Sequence, residues 1–491
     1  MYKYGVYGQI GADIIQGVER ASTVAVYSGT APVNLLLEYS GKVNKPIRIS
    51  NMNEARSLLG GQFSSSDKWS KYTLCEAIEA HFNNRIGNVG PIYVVNVLDP
   101  DTHKGEAETV QLTFTNKKAT VTADDIILST FAIEGKTLGT DYTLSYNTDS
   151  GVLTITDIGT TPMTSIQASY TPVDFDAIDE TTVIGAKYTS GVTTGIAAIA
   201  QVYQTYNAVP TYLAAPGWSE TPAVYNALVD ASQLINDHWY AFVFADIPVT
   251  ADTIDEAIEW KSTNGYTSGA SKVFWPKVTD NGTIYHLSTL ALVEKMRVDI
   301  SHNNIPFETC ANKPVPASGL YISAESAIVG YERPDANRLV AAGITTGIFW
   351  EGDWRVWGDH TAAFVDGGDY QAREIFDTNM LMLYYIVNSF QREWGDTIDQ
   401  PMTVALRDTI LNREQEKLDA LVSVGALIGT PTVEIVDGST SAEGTDRLLA
   451  GFEWQIATTV TPPLKSATMT VSYTDAGYAV LYEEEATGGE Q

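Results

Sequence analysis

The feature that most constrains the fold is a threonine-rich segment, residues 105–185, with 18 threonines in 81 positions. Turn signals such as Thr148-Asp149-Ser150-Gly151 separate its runs. The runs VQLTFTN, ATVTA, YTLSYN, VLTITDI and SIQASYT alternate apolar and polar residues, which is typical of strands with one buried face. The pattern predicts a small inserted all-β module, a sandwich with one wet face and no helix.

Strand and helix patterns alternate on both sides of this module. Residues 22–30 and 91–98 are β-branched or almost wholly apolar, as in buried strands, and 69–86 carries a helical apolar stripe. Beyond residue 190 the alternation returns, with strands at 211–215, 239–246 and 272–278 and helices near 193–207, 221–236, 253–263 and 287–300. We predict one α/β core domain, 20–104 plus 186–344, with the module in a surface loop.

A further region, residues 345–465, reads as a C-terminal α+β domain. Two long helices are predicted at 371–394 and 401–424. The second has an apolar stripe and a predicted solvent face at 412–417. Strands follow at 431–436 and 448–460. The fold class is therefore a multidomain α+β chain with extended arms at both ends.

The arms, residues 1–19 and 466–491, each carry one isolated amphipathic strand pattern. Apolar or aromatic residues alternate with others at Tyr2, Tyr4 and Val6 and at Met469, Val471 and Tyr473. A lone strand leaves its backbone groups unpaired, so it needs a sheet to join. From the residues alone, an edge strand of the same chain and pairing with a neighbouring subunit are equally open.

Composition excludes several classes of protein. The formal charge is −30 and the pI is about 4.4, which argues against a basic nucleic-acid surface and against docking on anionic membranes. No stretch approaches 18 apolar residues, and the first 20 residues lack the apolar run of a signal peptide. Cys75 and Cys310 are the two cysteines, too few for a disulfide framework.

The search for catalytic motifs finds none with the required spacing. There is no G-x-x-x-x-G-K-[ST], and Lys68 lies at the wrong distance from the glycines at 60–61. The sequence around Ser219 lacks the final glycine of a nucleophile elbow, because position 221 is Thr. Ser219 or Thr221 is predicted instead to cap the next helix. His302 and Cys310 are interpreted as ordinary packing residues. We predict no catalytic, cofactor-binding or metal site.

Several segments, in order, resemble contractile tail sheath proteins of bacteriophages and of phage-derived contractile particles. They are MYKYGVY with STVAVYSGTAPVN, KYTLCEAIEAHFNN with GPIYVVNVLDP, TYLAAPGWSETPAV with VFWPKV, PVPASGLYISAESAIVGYERPDANR, and WRVWGDHTA. The resemblance covers most of the chain outside 105–185. His360 departs from it, because the last signature usually has Arg at that position.

This resemblance implies a structural subunit without enzymatic activity or cofactors. It implies hexameric rings of the chain with itself, stacked helically around a tail tube protein, with baseplate and tail terminator proteins as further partners. Contraction of the stack would drive the tube through the target cell envelope. The family implies no nucleic-acid partner and no direct membrane insertion. It places the subunit in a virion tail or phage-like particle, assembled in the host bacterial cytoplasm.

The resemblance also assigns roles to particular residues. It implies that the arm strands pair with strands of adjacent subunits by β-augmentation. The long C-terminal helices would lie nearest the tube, with Arg407, Arg413 and Lys417 as possible tube contacts, and the β module would face outward.

Two alternatives come from other classes of protein. One is a carbohydrate-active enzyme with an appended β-sandwich, in which Trp218, Trp239 and Trp275 would line a sugar groove, although core packing of these residues is favoured. The other is a cell-surface adhesin that uses the β module, against which the missing signal peptide argues.

Overall fold

The computed structural model describes residues 23–323, 331–436, 452–478 and 481. The chain divides into two compact units, Met1–Thr461 and Pro462–Gln491. The described strands are β1 (Ala25–Gly29), β2 (Pro46–Ile49), β3 (Ile92–Asn96), β4 (Glu108–Thr113), β5 (Lys118–Thr122), β6 (Ile126–Ile133), β7 (Tyr142–Asn147), β8 (Val152–Asp157), β9 (Ser165–Pro172), β10 (Tyr212–Ala214), β11 (Phe242–Asp246), β12 (Ser271–Phe274), β13 (Lys277–Asp280), β14 (Thr283–Tyr285), β15 (Gly319–Tyr321), β16 (Ile344–Trp350), β17 (Asp353–Trp357), β18 (Leu427–Val436) and β19 (Glu453–Val460).

The described α-helices alternate with groups of these strands along the sequence. They are α1 (Met52–Leu59), α2 (Leu74–Phe82), α3 (Glu180–Ile184), α4 (Gln201–Tyr206), α5 (Pro222–Ser232), α6 (Ile254–Thr263), α7 (Leu287–Ser301), α8 (Arg333–Ala341), α9 (Asp377–Trp394) and α10 (Val404–Ser423). The result is a mixed α/β chain with several sheets, as the sequence predicted at this coarse level.

An eight-stranded sheet forms the centre, in the order β17-β16-β12-β11-β10-β1-β3-β2. Neighbours from β16 to β3 are parallel, and the edge strands β2 and β17 are antiparallel. The central strands β1, β3, β10, β11 and β12 are buried along their whole length. Helices cover both faces of a parallel sheet, which explains why these segments read as continuous apolar runs. Strands β16 and β17 extend the sheet beyond residue 344.

Helix α7 lies deep in the core. Twelve of its fifteen residues are buried, and it packs on β10, β11 and β12. The sequence predicted a helix at 287–300, and the structure confirms it within one residue. Helices α5 and α6 likewise confirm the helical patterns near 221–236 and 253–263.

The β module consists of two three-stranded antiparallel sheets, β4-β9-β6 and β5-β8-β7. Burial alternates along β5 and β8, so that Ala119, Val121, Leu153 and Ile155 face inward. The five predicted strand runs are confirmed. The predicted absence of helix within 105–185 is wrong, because Asp179 accepts a hydrogen bond from Thr182 N (2.9 Å) and begins α3.

A polar joint attaches the module to the core. The carboxylate of Asp124 lies 2.6 Å from Lys68 Nζ and 3.2 Å from Lys71 Nζ. The hydroxyl of Tyr72 donates to the Asp124 carbonyl (2.6 Å), and Asn34 Nδ2 donates to the Ile126 carbonyl (2.9 Å). Asn34 and Tyr72 are fully buried, so the module and the core share a buried polar contact at this joint.

Helices α9 and α10 confirm the two long predicted helices. One side chain of α10 is buried, however, at a position that the sequence predicted to face solvent. Glu414, predicted on the solvent face, is 3 % exposed. Its Oε1 accepts hydrogen bonds from Trp394 Nε1 (2.6 Å) and Lys417 Nζ (2.7 Å). A buried carboxylate is tolerated because it has these partners. The predicted apolar stripe is confirmed by the burial of Ile410, Leu418 and Leu421 in α10.

Within the second unit, residues 462–474 have no assigned strand, and Ala476–Tyr478 form a single 3₁₀ turn. The amphipathic pattern at 467–474 is therefore not a strand in the single chain. A β-strand requires a partner, so the strand expected there stays a prediction about an assembly.

Candidate functional site

In open α/β sheets, ligands bind at the carboxyl ends of the parallel strands. Here that edge holds a cluster of charged side chains, which we call the sheet-edge cluster: Glu76, Glu220, Asp246, Lys277 and His286. His286 Nδ1 lies 2.7 Å from Glu76 Oε2 and its Nε2 lies 3.1 Å from Glu220 Oε1. Lys277 Nζ lies 3.0 Å from the same Glu220 oxygen. These groups bind one another across the edge.

Two members of the cluster cap helix α7 from other elements. The backbone N–H of His286 donates to Glu76 Oε1 (2.7 Å), and that of Ser288 donates to Asp246 Oδ1 (3.2 Å). The N-terminus of a helix attracts anions because its first N–H groups have no partner within the helix. The protein's own carboxylates therefore fill the position at which an α/β enzyme would hold an anionic ligand.

Burial and the contacts within the cluster change the pKa values of three groups. Burial alone would lower the pKa of His286, but the nearby carboxylates, Glu76 first, raise it to about 10. Burial alone would raise the pKa of Glu220, but His286 and then Lys277 lower it to about 2. For Asp246, burial dominates and raises the pKa to about 6. At neutral pH the cluster is an internal ion network that ties α2 to α7.

The other residues considered as chemical candidates pack in the core. Burial raises the pKa of the Cys310 thiol to about 11, so it is uncharged at neutral pH. Ser219 Oγ accepts a hydrogen bond from Asp246 N (3.2 Å). Thr221, one of the two residues predicted to cap the next helix, is the N-cap residue of α5, although its side chain makes no capping hydrogen bond. Trp239 and Trp275 are buried, as the core-packing interpretation predicted.

His360, the departure from the family signature, is also a packing residue. It is 8 % exposed, stacks on Phe364 with ring centroids 3.6 Å apart, and bonds the Ile375 carbonyl through Nδ1 (2.8 Å). Within the described ranges, no three His, Cys, Asp or Glu side chains are grouped as a metal site would need. In the same ranges no helix is long and apolar enough to cross a membrane.

The C-terminal hairpin β18–β19 has a different character from the core. In the described chain it is a sheet of two strands only, paired from Leu427↔Val460 to Val436↔Glu453, with an irregularity between Ile428 and Thr432. Side chains alternate along β19, and Ile456 and Val460 on one face pack with Met382 and Leu418 of the helices below. A two-stranded sheet has two outer edges with free backbone groups, so this hairpin is the candidate acceptor for added strands.

The predicted tube-contact residues lie on α10, near the end of α9. Arg413 Nε lies 2.7 Å from Glu393 Oε1, and its side chain is 63 % exposed. Lys417 binds both Glu393 and Glu414. Arg407 binds its neighbour Asp408 at 2.7 Å. Arg413 thus presents a charged group at the surface, whereas Lys417 mainly joins the two helices.

The predicted arm residues divide into two groups. Tyr2, Tyr4 and Val6 lie outside the described residues. The others are highly exposed apolar or aromatic side chains: Met469 (85 %), Val471 (83 %) and Tyr473 (80 %). The hydroxyl of Tyr473 donates to that of Tyr478 at 3.1 Å. Exposure of three alternate apolar side chains is unfavourable in water, so this segment is suited to burial against another surface.

Comparison with known proteins gives consistent matches. The chain is 26 % identical over 487 residues to a tail sheath protein of Burkholderia phage BcepMu, covering 91 % of each chain. It is 24 % identical over 306 residues to a major tail sheath protein of Serratia phage KSP20, covering 61 % of this chain and 72 % of the relative. No family model matches the sequence.

Comparison with solved structures shows that the similarity also extends to the fold. A chain of the anti-feeding prophage baseplate, in a six-fold symmetrised cryo-EM structure, matches with a TM-score of 0.56 at 15 % identity, over 96 % of this chain and 99 % of that one. The sheath complex of the PVC extracellular contractile injection system, in its contracted state, matches with a TM-score of 0.56 at 13 % identity, over 97 % and 100 %.

Proposed function

The chain belongs to the contractile tail sheath family, and we propose that it polymerises as a helical stack of hexameric rings around a tail tube. It is a structural subunit, a component of a virion or phage-like particle. The matches give no support to the carbohydrate-active enzyme alternative. In this proposal the extended stack is metastable, and its contraction to a shorter, wider lattice drives the tube through the target envelope without ATP.

The observation that carries the proposal is that one chain contains both a two-stranded sheet and an exposed amphipathic segment. Among the described residues, the sheet β18–β19 has no third strand, and residues 467–474 have an amphipathic strand pattern but no assigned strand. In a closed ring or helical stack, each subunit donates its arms and accepts those of its neighbours, so every arm and every edge finds a partner. Both arms are assigned this role, including Tyr2, Tyr4 and Val6.

The proposed partners follow from the same arrangement. The subunit binds itself laterally and along the stack, binds the tail tube protein on its inner side, and binds baseplate and tail terminator proteins at the ends. No nucleic acid and no direct membrane insertion are involved, in keeping with the formal charge of −30. Assembly takes place in the host bacterial cytoplasm.

Within the subunit, the α9–α10 pair is the proposed tube-facing part. Arg413, which is mostly exposed, is the best supported contact, and Arg407, six residues earlier in α10, is 42 % exposed. Lys417 is assigned an indirect role, because it holds Glu393 beside Arg413. The β module, 105–185, is proposed to face outward as an acidic, threonine-rich decoration that keeps particles apart.

The experiment that tests the proposal is negative-stain electron microscopy of the purified full chain at high concentration and moderate salt. Tubes, ring stacks or striated cylinders are expected. If the chain needs its tube as a template, the same grids prepared with purified tube protein show decorated tubes. Uniform monomers under both conditions would contradict the proposal. A screen of glycans for turnover, read on the same sample, distinguishes the enzyme alternative.

A further inference from the structure

The hairpin formed by β16 and β17 extends past the end of β12 and carries exposed aromatic side chains. β16 pairs with β12 through its first two residues, and the five residues that follow pair with β17. Phe349 is 58 % exposed and Trp350 is 41 % exposed. Large aromatic groups at the surface mark interaction sites, because their burial against a partner is favourable. We call residues 349–354 the aromatic tip.

Contacts within the subunit hold the tip in place. Its turn has positive φ at both central residues, 53° at Glu351 and 92° at Gly352, as a two-residue hairpin turn requires. Arg355 Nε donates to the Trp350 carbonyl (3.3 Å), and the guanidinium of Arg333 lies 4.1 Å from the centroid of the Trp350 ring. A partner therefore meets a preorganised indole, and binding it costs little ordering entropy.

A recess of suitable size lies between α9 and α10, with a volume of about 370 Å³. Pockets of this size enclose groups as large as a small organic molecule. Ile386, Leu418 and Leu421 give it an apolar floor, and the exposed residues Ala420 and Val424 also line it. We call this recess the α9–α10 groove. Its apolar walls gain dispersion contacts when an apolar side chain fills it.

We propose that the aromatic tip of one copy inserts into the α9–α10 groove of a second copy, with Trp350 as the anchor. The inference rests on the proposed polymerisation and names one contact between its subunits. A tip and a groove in different parts of one chain make a heterologous contact, which repeats from copy to copy and builds rings or helical stacks. Tryptophan is among the residues that contribute most to such interfaces.

The groove also suits an indole chemically. A buried indole needs an acceptor for its Nε1–H, and the carboxylates of Glu393 and Glu414 line the groove. Glu414 already accepts a hydrogen bond of 2.6 Å from the indole of Trp394 in the same subunit. The Trp350 indole of a second copy would therefore meet an apolar floor and carboxylate acceptors together.

The charges at both surfaces are offset by opposite charges nearby. At the tip, two carboxylates are accompanied by two guanidinium groups: Glu351, Asp353, Arg333 and Arg355. Along the groove, two carboxylates are paired with two cations: Glu393, Glu414, Arg413 and Lys417. Copies with a formal charge of −30 repel one another, so contact is easiest where the local charges cancel. Arg413 pairs with Glu393 from outside the groove lining, which is compatible with its proposed tube contact.

The test is a mixed disulfide between two chains with one introduced cysteine each. One chain carries Asp353→Cys in the tip and the other carries Ala420→Cys in the groove; both positions are exposed. A disulfide that joins these two peptides can form only between copies. Native Cys75 and Cys310 are buried and contribute little background. Mild oxidation of the mixture is expected to give this disulfide, identified by peptide mass spectrometry.

The matched control mixes the Asp353→Cys chain with an Asn412→Cys chain. Asn412 is exposed on the same helix but does not line the groove. The yield of mixed disulfide is expected to be at least about tenfold lower than with Ala420→Cys, because the tip holds the first cysteine beside the groove.

A second comparison tests Trp350 as the anchor. Trp350→Ala in the Asp353→Cys chain is expected to lower the yield of mixed disulfide about tenfold or more, because the burial of one aromatic side chain is lost. Leu37→Ala, which alters a side chain that is 52 % exposed and lies outside the tip, leaves the yield unchanged. Circular dichroism of each variant checks that it is folded.

The measurement uses tubes if the chain forms them and concentrated soluble protein if it does not. Equal yields for Ala420→Cys and Asn412→Cys, or an undiminished yield with Trp350→Ala, would overturn the inference. Absence of the mixed disulfide would do the same, and is expected if the tube protein or another part of the same chain occupies the groove. Tubes without the disulfide leave the sheath function intact. The disulfide in chains that never form tubes would support this contact and contradict the sheath function.

Discussion

The ammonium nitrogen of Lys272 lies 2.6 Å from Oδ2 of Asp377, and both side chains are buried. Lys272 is in the central strand β12, and Asp377 is the first residue of α9, so this ion pair joins the central sheet to the C-terminal helices. Thr309 also donates to the same carboxylate oxygen at 3.0 Å. Burial alone would lower the pKa of Lys272, but Asp377 raises it, so the Lys272 ammonium group stays charged.

Lys272→Met is expected to lower the free energy of unfolding by about 3–5 kcal/mol, because it leaves the Asp377 carboxylate buried without a cation. The double variant Lys272→Met/Asp377→Leu should recover most of that loss, since no buried charge remains. Urea denaturation of the soluble subunit measures both. A double variant that is less stable than the single one would contradict this account.

The sheet-edge cluster predicts a particular pH dependence. The pKa of His286 is raised to about 10, so its ion pairs stabilise the fold fully below the unfolded value near 6.5, and this contribution is lost as pH rises towards 10. Glu76→Gln should therefore lower Tm most at pH 5–6, and the difference from the wild type should shrink as pH rises to about 10. Thermal unfolding across this range provides the measurement.

Glu220 determines how the stability of the fold depends on pH in the acidic range. Its pKa is lowered to about 2, so its contribution is present above about 4.5 and disappears as the pH falls towards 2. Asp246 acts in the opposite sense, because its raised pKa makes its charged form costly above about 6. A Tm difference between Glu76→Gln and wild type that is the same at every pH would exclude the cluster as its source.

Deletion of residues 466–491 should leave a folded, soluble monomer that cannot polymerise. The deleted segment contributes exposed side chains such as Val471, so circular dichroism and Tm should change little while tubes vanish from electron micrographs. A finer version uses the alternation of the arm. Val471→Asp should block assembly, whereas Thr470→Asp, on the other face, should do so much less. Normal tubes from the truncated chain would refute the arm proposal.

The two cations beside Glu393 are expected to behave differently. Arg413→Glu alters an exposed side chain, so the subunit should fold normally but bind purified tube protein weakly. Lys417→Met removes the cation shared by Glu393 and the buried Glu414, which should cost about 2 kcal/mol of folding stability. Denaturation and co-sedimentation with tubes separate the two effects. An Arg413 variant that binds tubes normally would remove that residue from the tube interface.

Contraction is expected to depend on salt. Six copies carry about −180 formal charges at six times −30, and subunits come closer together when the lattice shortens. Screening shortens the range of like-charge repulsion from about 20 Å at 20 mM to about 4 Å at 500 mM. Triggered contraction should therefore be faster at the higher concentration. Equal rates at the two concentrations would show that charge repulsion has no part in the barrier.

The sequence predicted local structure best where one face of an element is buried. The run at 142–147 became β7 at the same bounds, because alternation alone specifies a half-buried strand. The strand β6 was missed, since its apolar residues Ile126, Ile127 and Leu128 are consecutive and hide the alternation. The first strand of the C-terminal hairpin was predicted four residues short, because the irregularity near Gly429 interrupts its pattern.

Contacts between distant positions left no local signal. Glu76 and His286 are 210 residues apart, and each by itself looks like an ordinary surface residue. Glu414 lies in a run of polar residues, and only its bond to Trp394 explains its burial. The alternation at Met469, Val471 and Tyr473 predicts a strand, but the sequence does not identify the strand that it would join. Such features need a fold or an assembly to become visible.

The contacts at Asp124 make the β module a suitable place for a label that follows the movement of the whole subunit. Because Lys68, Lys71 and Tyr72 hold the module to the core, a dye pair or small tag in its outer turns would report the orientation of the whole subunit. Thr140, in the turn between β6 and β7, is exposed, which leaves room for such a label. Polarised fluorescence from labelled tubes would then give the angle through which each subunit swings as the tube shortens.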